Sequence, residues 1–548
     1  MHRYTLWAVA AVLVLLLVRR MRNSNRNRRN LPPGPRGWPI VGNLPQVAGE
    51  GQIWRLLTKW KYEYGPLTYL NMGGQDLIVI NSRRAALEIL ERRSAMYSHR
   101  PRHIVCEYLG GDMAMPFTGY TRTWQNMRRA THEVLNNQAA VQYHPVQTEE
   151  AVILVQKLLF DHSSTLREKL NASAATMLSV IYGRKSVNAS FLPSSQEGKP
   201  AVTVSASPDK LLLTSDILQS LANIGHRFTS SVYPGSYLVD AFPILEHVPE
   251  FLAPWKRDAM RDRKDMSKAF QTYYEEALKN DDNRESLCAR LTDTSLGGNL
   301  TDEEKWWVTG VVSVAALETT STTLAYFIFA MTLYPEVQQK AHEELDRVIG
   351  RTQNPNFSDM MNLPYIRAVV KEILRWNPPL PVVVPRIALE DDRYGDYFIP
   401  KGAAVFENLW GMNYDKEVYG PDVEDFRPER FLQQTEKGEE LEIKPEYENE
   451  DGHSSYGFGR RKCVGKHVAD NALFIGICTI LWAVDIKPVE CKIDLARHTL
   501  DTVKIPKSPI PDFQCKFVPR FEGLDSFLQQ LRDNFEYFRQ HKDSEQQI

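Results

Sequence analysis

Ten residues, Tyr456 to Gly465 (YGFGRRKCVG), set one cysteine among three glycines and directly behind three cations. A buried structural cysteine takes apolar neighbours, whereas Cys463 follows Arg460, Arg461 and Lys462 and has Gly457, Gly459 and Gly465 around it. Positive charge, backbone N–H donors and the start of a helix all favour a deprotonated sulfur. The stretch is built to hold a thiolate.

Zinc would take that thiolate together with His467, four residues on and on the same helical face. Two further ligands at short spacing are then needed, and only His453 is near. An inert core cysteine sits poorly among glycines and cations. A single axial thiolate on haem iron fits better, because the bulky macrocycle needs small residues where the loop passes under it. Gly457 and Gly459 leave that space, and Gly465 lets the chain turn into the apolar run HVADNALFIGICTILWAV, whose N-terminal dipole points at the sulfur.

On these residues the chain resembles the haem-thiolate monooxygenases, the cytochrome P450 family. Their cysteine motif, F-G-x-G-x-R-x-C-x-G and then an alanine, stands here as Tyr456, Gly457, Gly459, Arg461, Cys463, Gly465 and Ala469. Tyr456 departs from the family's phenylalanine; it keeps the ring but adds a hydroxyl that needs a partner and acts on the electron density of the thiolate. The resemblance implies haem b (iron protoporphyrin IX) with Cys463 as its axial ligand.

Other motifs follow at the expected places. The stretch KEILR carries Glu372 and Arg375 as the family's E-x-x-R, and FRPERF (426–431) supplies Arg430. Alone, an i, i+3 Glu/Arg pair reads as a solvated helix face; the resemblance implies instead a buried charge network of Glu372, Arg375 and Arg430 that locks the cysteine loop. Trp124 and Arg128, in TWQNMRR, share one helix face one turn apart, and without Cys463 they would read as a half-exposed amphipathic helix. With it, Trp124, Arg128, Arg386 and Arg461 are the expected partners of the haem propionates, since an arginine fork bonds both oxygens of a carboxylate. The apolar run VTGVVSVAALETTSTTLAYFIFA (308–330) is broken at its centre by Glu318, Thr319 and Thr320 without a clean polar stripe. It resembles the family's A-G-x-[DE]-T-[TS], with Ala316 in place of the glycine. The resemblance implies that Thr319 holds the dioxygen and Glu318 relays protons as a general acid, in a groove narrowed by the Ala316 methyl.

These residues need a large scaffold, and 548 residues with 43% hydrophobic content can bury one. A formal net charge of −2 gives no reason to expect nucleic acid. Six cysteines, Cys106, Cys288, Cys463, Cys478, Cys491 and Cys515, show no C-x-x-C pairing and suit a reducing compartment. Asn171, Asn188, Asn299 and Asn356 head sequons that stay unmodified if the body faces the cytosol. No repeat of 20 to 50 residues occurs.

Tyr4 to Val18 is an unbroken apolar run followed by six arginines, Arg19, Arg20, Arg22, Arg26, Arg28 and Arg29. As a helix it spans roughly 22 Å, short of the ~30 Å hydrocarbon core, so Arg19 and Arg20 must snorkel or the bilayer thin. No small-residue cleavage site follows, and the arginines hold their side in the cytosol, so an uncleaved anchor (about 4–20) is favoured over a signal peptide. The proline-rich 31–45 reads as a stiff hinge. The expected organisation is therefore an anchor and basic linker over 1–30 and one domain over 31–548, mainly α with minor β (α+β). Strands are expected around PLTYLNMG, DLIVINS, VVVPRIALE, YFIPKGAAVFEN and the C-terminus, and long amphipathic segments between Lys305 and Leu374. The polar stretches 190–209 and 433–451 read as surface loops.

No G-x-G-x-x-G fingerprint is present, and only 85 residues follow Cys463. The resemblance therefore implies a separate membrane-bound NADPH cytochrome reductase, with cytochrome b5 as a second candidate donor. Arg122, Arg129, Arg460, Lys462 and Lys466 are placed to steer an acidic partner. It further implies dioxygen and a hydrophobic small molecule as substrates, a lipid bilayer as support, and a single-pass endoplasmic reticulum protein facing the cytosol. The stretch DAFPILEHVPEFLAPWKR (240–257) resembles filamentous-fungal members of secondary metabolism. A haem-thiolate isomerase or dehydratase, or a non-catalytic haem sensor, would keep Cys463 but leave Glu318 and Thr319 idle.

Overall fold

The computed structural model describes residues 30–48, 52–183, 208–279, 286–489 and 513–545. Interruptions fall at 163, 167–168, 171–174, 233–235, 294, 296–297, 437, 439 and 449. The expected anchor, most of the polar stretch 190–209, and Cys491 lie outside these residues.

Helices dominate and the sheets are small, as expected. The largest sheet has four strands. Leu67–Met72 and Gln75–Ile80 form an antiparallel hairpin around Gly73–Gly74; Ala404–Glu407 then runs parallel to the second strand, and Arg386–Ile387 closes the other edge. The strand expected over VVVPRIALE shrinks to two residues, because Pro385 has no N–H to enter a ladder. Register matters here: Arg386 pairs with Val405, so Glu407, two residues on, lies on the same face as Arg386. Asn30 to Asn43 is laid along this scaffold, with the Tyr69 N–H donating to Pro33 and the Phe398 N–H to Asn30. Near the C-terminus Val484–Pro488 pairs with Cys515–Pro519.

The spine is helix Asp302–Leu333. Thr301 caps it in a box with Glu304, and its 32 residues make it about 48 Å long. The sequence expectation of an amphipathic pattern holds for Pro335–Val348 and Pro364–Trp376 but not for this helix, which beyond its charged first turn is apolar and mostly buried, broken only at Glu318, Thr319 and Thr320. It is long and apolar enough to cross a membrane, yet most of it is buried inside the fold. Its first half, Trp307 to Leu317, belongs to a core built with helices Ile104–Gly110, Arg122–Leu135, Pro208–Val232 and Pro254–Leu278. Its second half, Leu324 to Met331, belongs to another built with Pro364–Trp376 and Lys466–Ala483. Glu318, Thr319 and Thr320 fall at the seam between the two.

The stretch 433–451, expected as a loop, instead carries a hairpin of Leu432–Gln434 and Leu441–Ile443. Leu432 and Ile443 face each other across it and are both buried, so two apolar side chains were enough to order the segment.

Candidate active site

The cysteine loop is shaped by its glycines, though not as expected. Gly457 and Gly459 have φ of +68° and +57°, in the left-handed region. A Cβ on Gly459 would lie 2.0 Å from the Leu90 carbonyl oxygen, and its N–H donates to the Glu91 carboxylate at 2.9 Å. The room at Gly459 thus admits the backbone of the helical turn Leu87–Arg92. Gly465 has an ordinary φ of −88° and nothing within 4 Å of a built Cβ. Its position at the start of helix Lys466–Ala483 directs its N–H to the Cys463 sulfur. The Cys463 N–H donates to the Tyr456 carbonyl at 2.9 Å, closing the loop.

Cations adjacent in sequence do not serve the sulfur. Arg460 lies over the Tyr120 ring, and Lys462 and Lys466 both pair with Asp451 at 2.7 and 2.8 Å. Arg128, from helix Arg122–Leu135, is the cation that favours the thiolate; its Nη2 donates to the Lys462 carbonyl at 2.5 Å. Burial nonetheless outweighs the Gly465 N–H and Arg128 and pushes the Cys463 thiol up. The side chain is at the same time accessible, so it opens onto space inside the fold.

Above it stands a crowd of guanidiniums. Arg461 donates to the carbonyls of Ser98, Met115 and Thr118, and its guanidinium rests 4.0 Å above the Trp124 ring. The Trp124 indole N–H donates to Met115, so this side chain supports Arg461. Arg386 bonds Glu407 at 2.7 Å, as the strand register dictates, and donates to the Phe458 carbonyl. Its Nη1, and the second oxygen of Glu407, are buried with no hydrogen-bond partner. Arg100 completes the group on carbonyls of Pro116, Val384 and Pro385. Burial, then mutual repulsion with Arg386, lowers Arg100 to about 9; burial and repulsion by Arg100, Arg386 and Arg128 lower Arg461 to about 8. Arg100, Arg386 and Arg128 thus all repel Arg461, and the one carboxylate of the group, Glu407, is bonded by Arg386 alone and otherwise felt by Arg100. A dianionic ligand would relieve that charge and satisfy the orphaned Nη1.

The network beneath is dry. Glu372, Arg375 and Arg430 have 0%, 0% and 6% of their surface exposed. Glu372 accepts from Arg375 Nε and Nη2 at 2.7 Å, from Arg430 Nε at 2.9 Å and from the Arg427 N–H at 2.8 Å. Arg375 also donates to the carbonyls of Asn413, Val423 and Asp425, and Arg430 to those of Tyr419, Asp422 and Asp425. The Asn413 side chain accepts from the Ser454 N–H and donates to Ser455, whose hydroxyl returns to Leu374. This ties the network to the residues leading into Tyr456.

On the spine, Ala315 is exposed and Ala316, Glu318, Thr319 and Thr320 are half-buried, although buried residues flank them on both sides. That pattern marks a wall of the same interior space. Ala316 packs into the apolar cluster that also holds Val464, the residue after the cysteine. The Thr319 hydroxyl donates to Ala315, four residues back, at 3.1 Å.

Among the described residues no group of His, Cys, Asp or Glu is arranged to hold a metal ion, which removes the zinc alternative. An accessible sulfur, an overcharged arginine cradle and an opened helix fit a haem with one axial ligand and two propionates. Sequence reasoning missed Arg100, Glu407 and Asp470. Glu407 could have been noticed as a carboxylate inside the apolar strand AAVFENL; Arg100 and Asp470 carry no local signal.

A family model described as Cytochrome P450 matches residues 32–510. A cytochrome P450 monooxygenase of Armillaria gallica is 36% identical over 543 residues, covering 97% of this chain and 98% of its own. Cytochrome P450 monooxygenase 253 of Postia placenta is 37% identical over 534 residues, 96% of this chain and 95% of its own. One from Amanita muscaria is 32% identical over 583 residues, 97% and 98% respectively. Members of that family are oxidoreductases that incorporate oxygen, hold haem through a cysteine thiolate and draw on a redox partner. The chain belongs to the cytochrome P450 family.

Proposed function

We propose that this protein is a membrane-anchored monooxygenase that oxidises a hydrophobic small molecule in secondary metabolism, with Cys463 as axial ligand of haem b. The observation that carries the reading is the accessible Cys463 sulfur in a loop whose Arg461 is repelled by Arg100, Arg386 and Arg128, with one buried guanidinium nitrogen of Arg386 left without a partner. Arg100, Arg128, Arg386 and Arg461 would hold the propionates, with Trp124 supporting Arg461. Tyr456, Gly457 and Gly465 shape the cysteine loop, and Glu372, Arg375 and Arg430 brace it. When bound, the haem supplies dioxygen activation. Glu318 and Thr319 hold and move the protons for that chemistry at the exposed face of the spine.

The substrate side is apolar. Phe117 stacks on Phe228 at 5.8 Å, and helix Pro208–Val232 comes so near the spine at Gly225 that an added Cβ would stand 3.1 Å from the side chain of Val314, one turn before Glu318. Such a wall suits a hydrophobic substrate. Electrons come from a separate NADPH reductase. Lys462 and Lys466 share the single charge of Asp451, and Arg122, Arg129 and Arg460, all exposed, are the other basic residues placed to meet an acidic partner. The apolar run 4–18 anchors the chain in the endoplasmic reticulum membrane, and exposed Leu238, Phe242, Ile244, Phe251 and Leu252 offer a second apolar surface suited to lipid.

The test is the reduced carbon monoxide spectrum of the purified protein and of Cys463→Ala. The parent is expected to give the band from which the family takes its name and the variant to lack it. Survival of the band in Cys463→Ala would refute the ligand assignment.

A further inference from the structure

Tyr456 carries a hydroxyl where the cysteine motif otherwise has an unsubstituted ring, and the structure shows where it goes. The phenol donates to the Asp470 carboxylate at 2.5 Å. Asp470 lies in the second turn of helix Lys466–Ala483, the helix that begins at the cysteine loop. Tyr456 also accepts the Cys463 N–H on its carbonyl, so one residue ties the ligand loop to the carboxylate: its backbone holds Cys463 and its side chain holds Asp470.

No ion pair joins Asp470 to a cation among the described residues, although the charges of Lys466 and Lys371 act on it from a distance. The phenol is its one side-chain hydrogen bond among the described residues. Lys466, one turn earlier, is paired with Asp451, and Lys371 donates to the Glu450 carbonyl. His453, which packs against the Tyr456 ring, is buried and held neutral by that burial. A strap between loop and helix would need no charge, since Phe and an apolar partner would pack as well. The carboxylate is therefore unexplained by packing, and it lies near enough to Cys463 to disfavour charge on the sulfur.

We propose that Asp470, held in place by the Tyr456 hydroxyl, is a positioning residue that sets the haem reduction potential by keeping a negative charge behind the cysteine ligand. The inference rests on the haem-thiolate reading above. Negative charge on that side opposes the arrival of an electron, so removing it eases reduction.

An anaerobic redox titration of the haem-loaded protein tests this, with parent, Asp470→Asn, Asp470→Ser and Asp470→Glu compared at about pH 8, where the carboxyl is ionised, and the reduced carbon monoxide band recorded for each. Asp470→Asn and the smaller Asp470→Ser are expected to shift the one-electron reduction equilibrium three- to tenfold toward the reduced form, about 28 to 59 mV. Asp470→Glu, which keeps the charge but alters the reach, is expected to stay within twofold of the parent. Neutral variants that keep the band and the parent potential would overturn the proposal while leaving the haem-thiolate reading intact. So would an Asp470→Glu shift as large as that of Asp470→Asn, which would mark a strap. A parent protein without the band would overturn both.

Discussion

Replacing Glu372 by glutamine changes one atom type in a fully buried place, and its effect follows from the bond list. Glutamine keeps Oε1 as acceptor for Arg430 Nε, the Arg427 N–H and Arg375 Nη2, but turns an NH2 group toward Arg375 Nε, where a bond of 2.7 Å stood, and removes the negative charge between two guanidiniums. Hydrogen bonds to charged groups are worth about 1.5–3 kcal/mol each, and breaking a buried ion pair from one side costs about 3–5 kcal/mol. A loss of about 4 kcal/mol is expected against a total stability of roughly 5–15 kcal/mol. For a chain this long the unfolding entropy is on the order of 1 kcal/mol per degree, so the melting temperature should fall by about 4 °C if the protein unfolds as one unit. Arg375→Met should be worse, because it strands the carbonyls of Asn413 and Val423 and leaves Glu372 Oε2 without a donor. For the same reason, apolar replacement of the whole trio should not rescue the fold, as it can for ion triads without backbone partners. The assay is thermal unfolding together with the haem-loaded fraction. A Glu372→Gln protein that melts within about 1 °C of the parent at equal haem content would refute the reasoning.

Gly459→Ala should nearly abolish haem loading, since its Cβ would meet the Leu90 oxygen at 2.0 Å at a φ of +57°; absorbance per polypeptide checks this. Thr319→Ala removes a hydroxyl that bonds only within its helix in this fold, so haem content should hold while peroxide released per NADPH rises; unchanged coupling would remove Thr319 from proton delivery. Burial raises Asp470 from 3.8 to about 6, so its stabilising protonated form is complete below pH 3.8 and is lost as pH rises through 6. Asp470→Asn should therefore melt higher than the parent above pH 6, by an amount equivalent to about 1–3 kcal/mol because the group is only partly buried, and the gap should close toward pH 4.

What could be read along the chain was whatever keeps its meaning at short range. The spacing around Cys463, the i, i+3 pair Glu372 and Arg375, and Trp124 with Arg128 are local patterns, and the fold brings each to the same centre. Partnerships across hundreds of residues were not readable. Arg100 joins Arg386 and Arg461 only because His99 bridges Ile387 and Arg461 reaches the Ser98 carbonyl, and Glu407 faces Arg386 only through strand register. Adjacency also misled: Lys462 touches Cys463 in sequence but turns to Asp451, and Gly459 makes room for Leu90. The helix-period expectation failed for Asp302–Leu333 because a helix surrounded by protein has no polar face to give it a period.

The arginine cradle reaches beyond the site. Four mutually repelling guanidiniums inside a fold work against folding until a dianion joins them, so ligand binding and folding are linked by mass action. In a cell, the amount of this enzyme would then follow porphyrin supply as much as transcription. A porphyrin with esterified propionates should fail to rescue it, and the half-life of newly made chains in haem-starved cells, with and without restored haem, would measure how far metabolism rather than the gene decides how much of the protein survives.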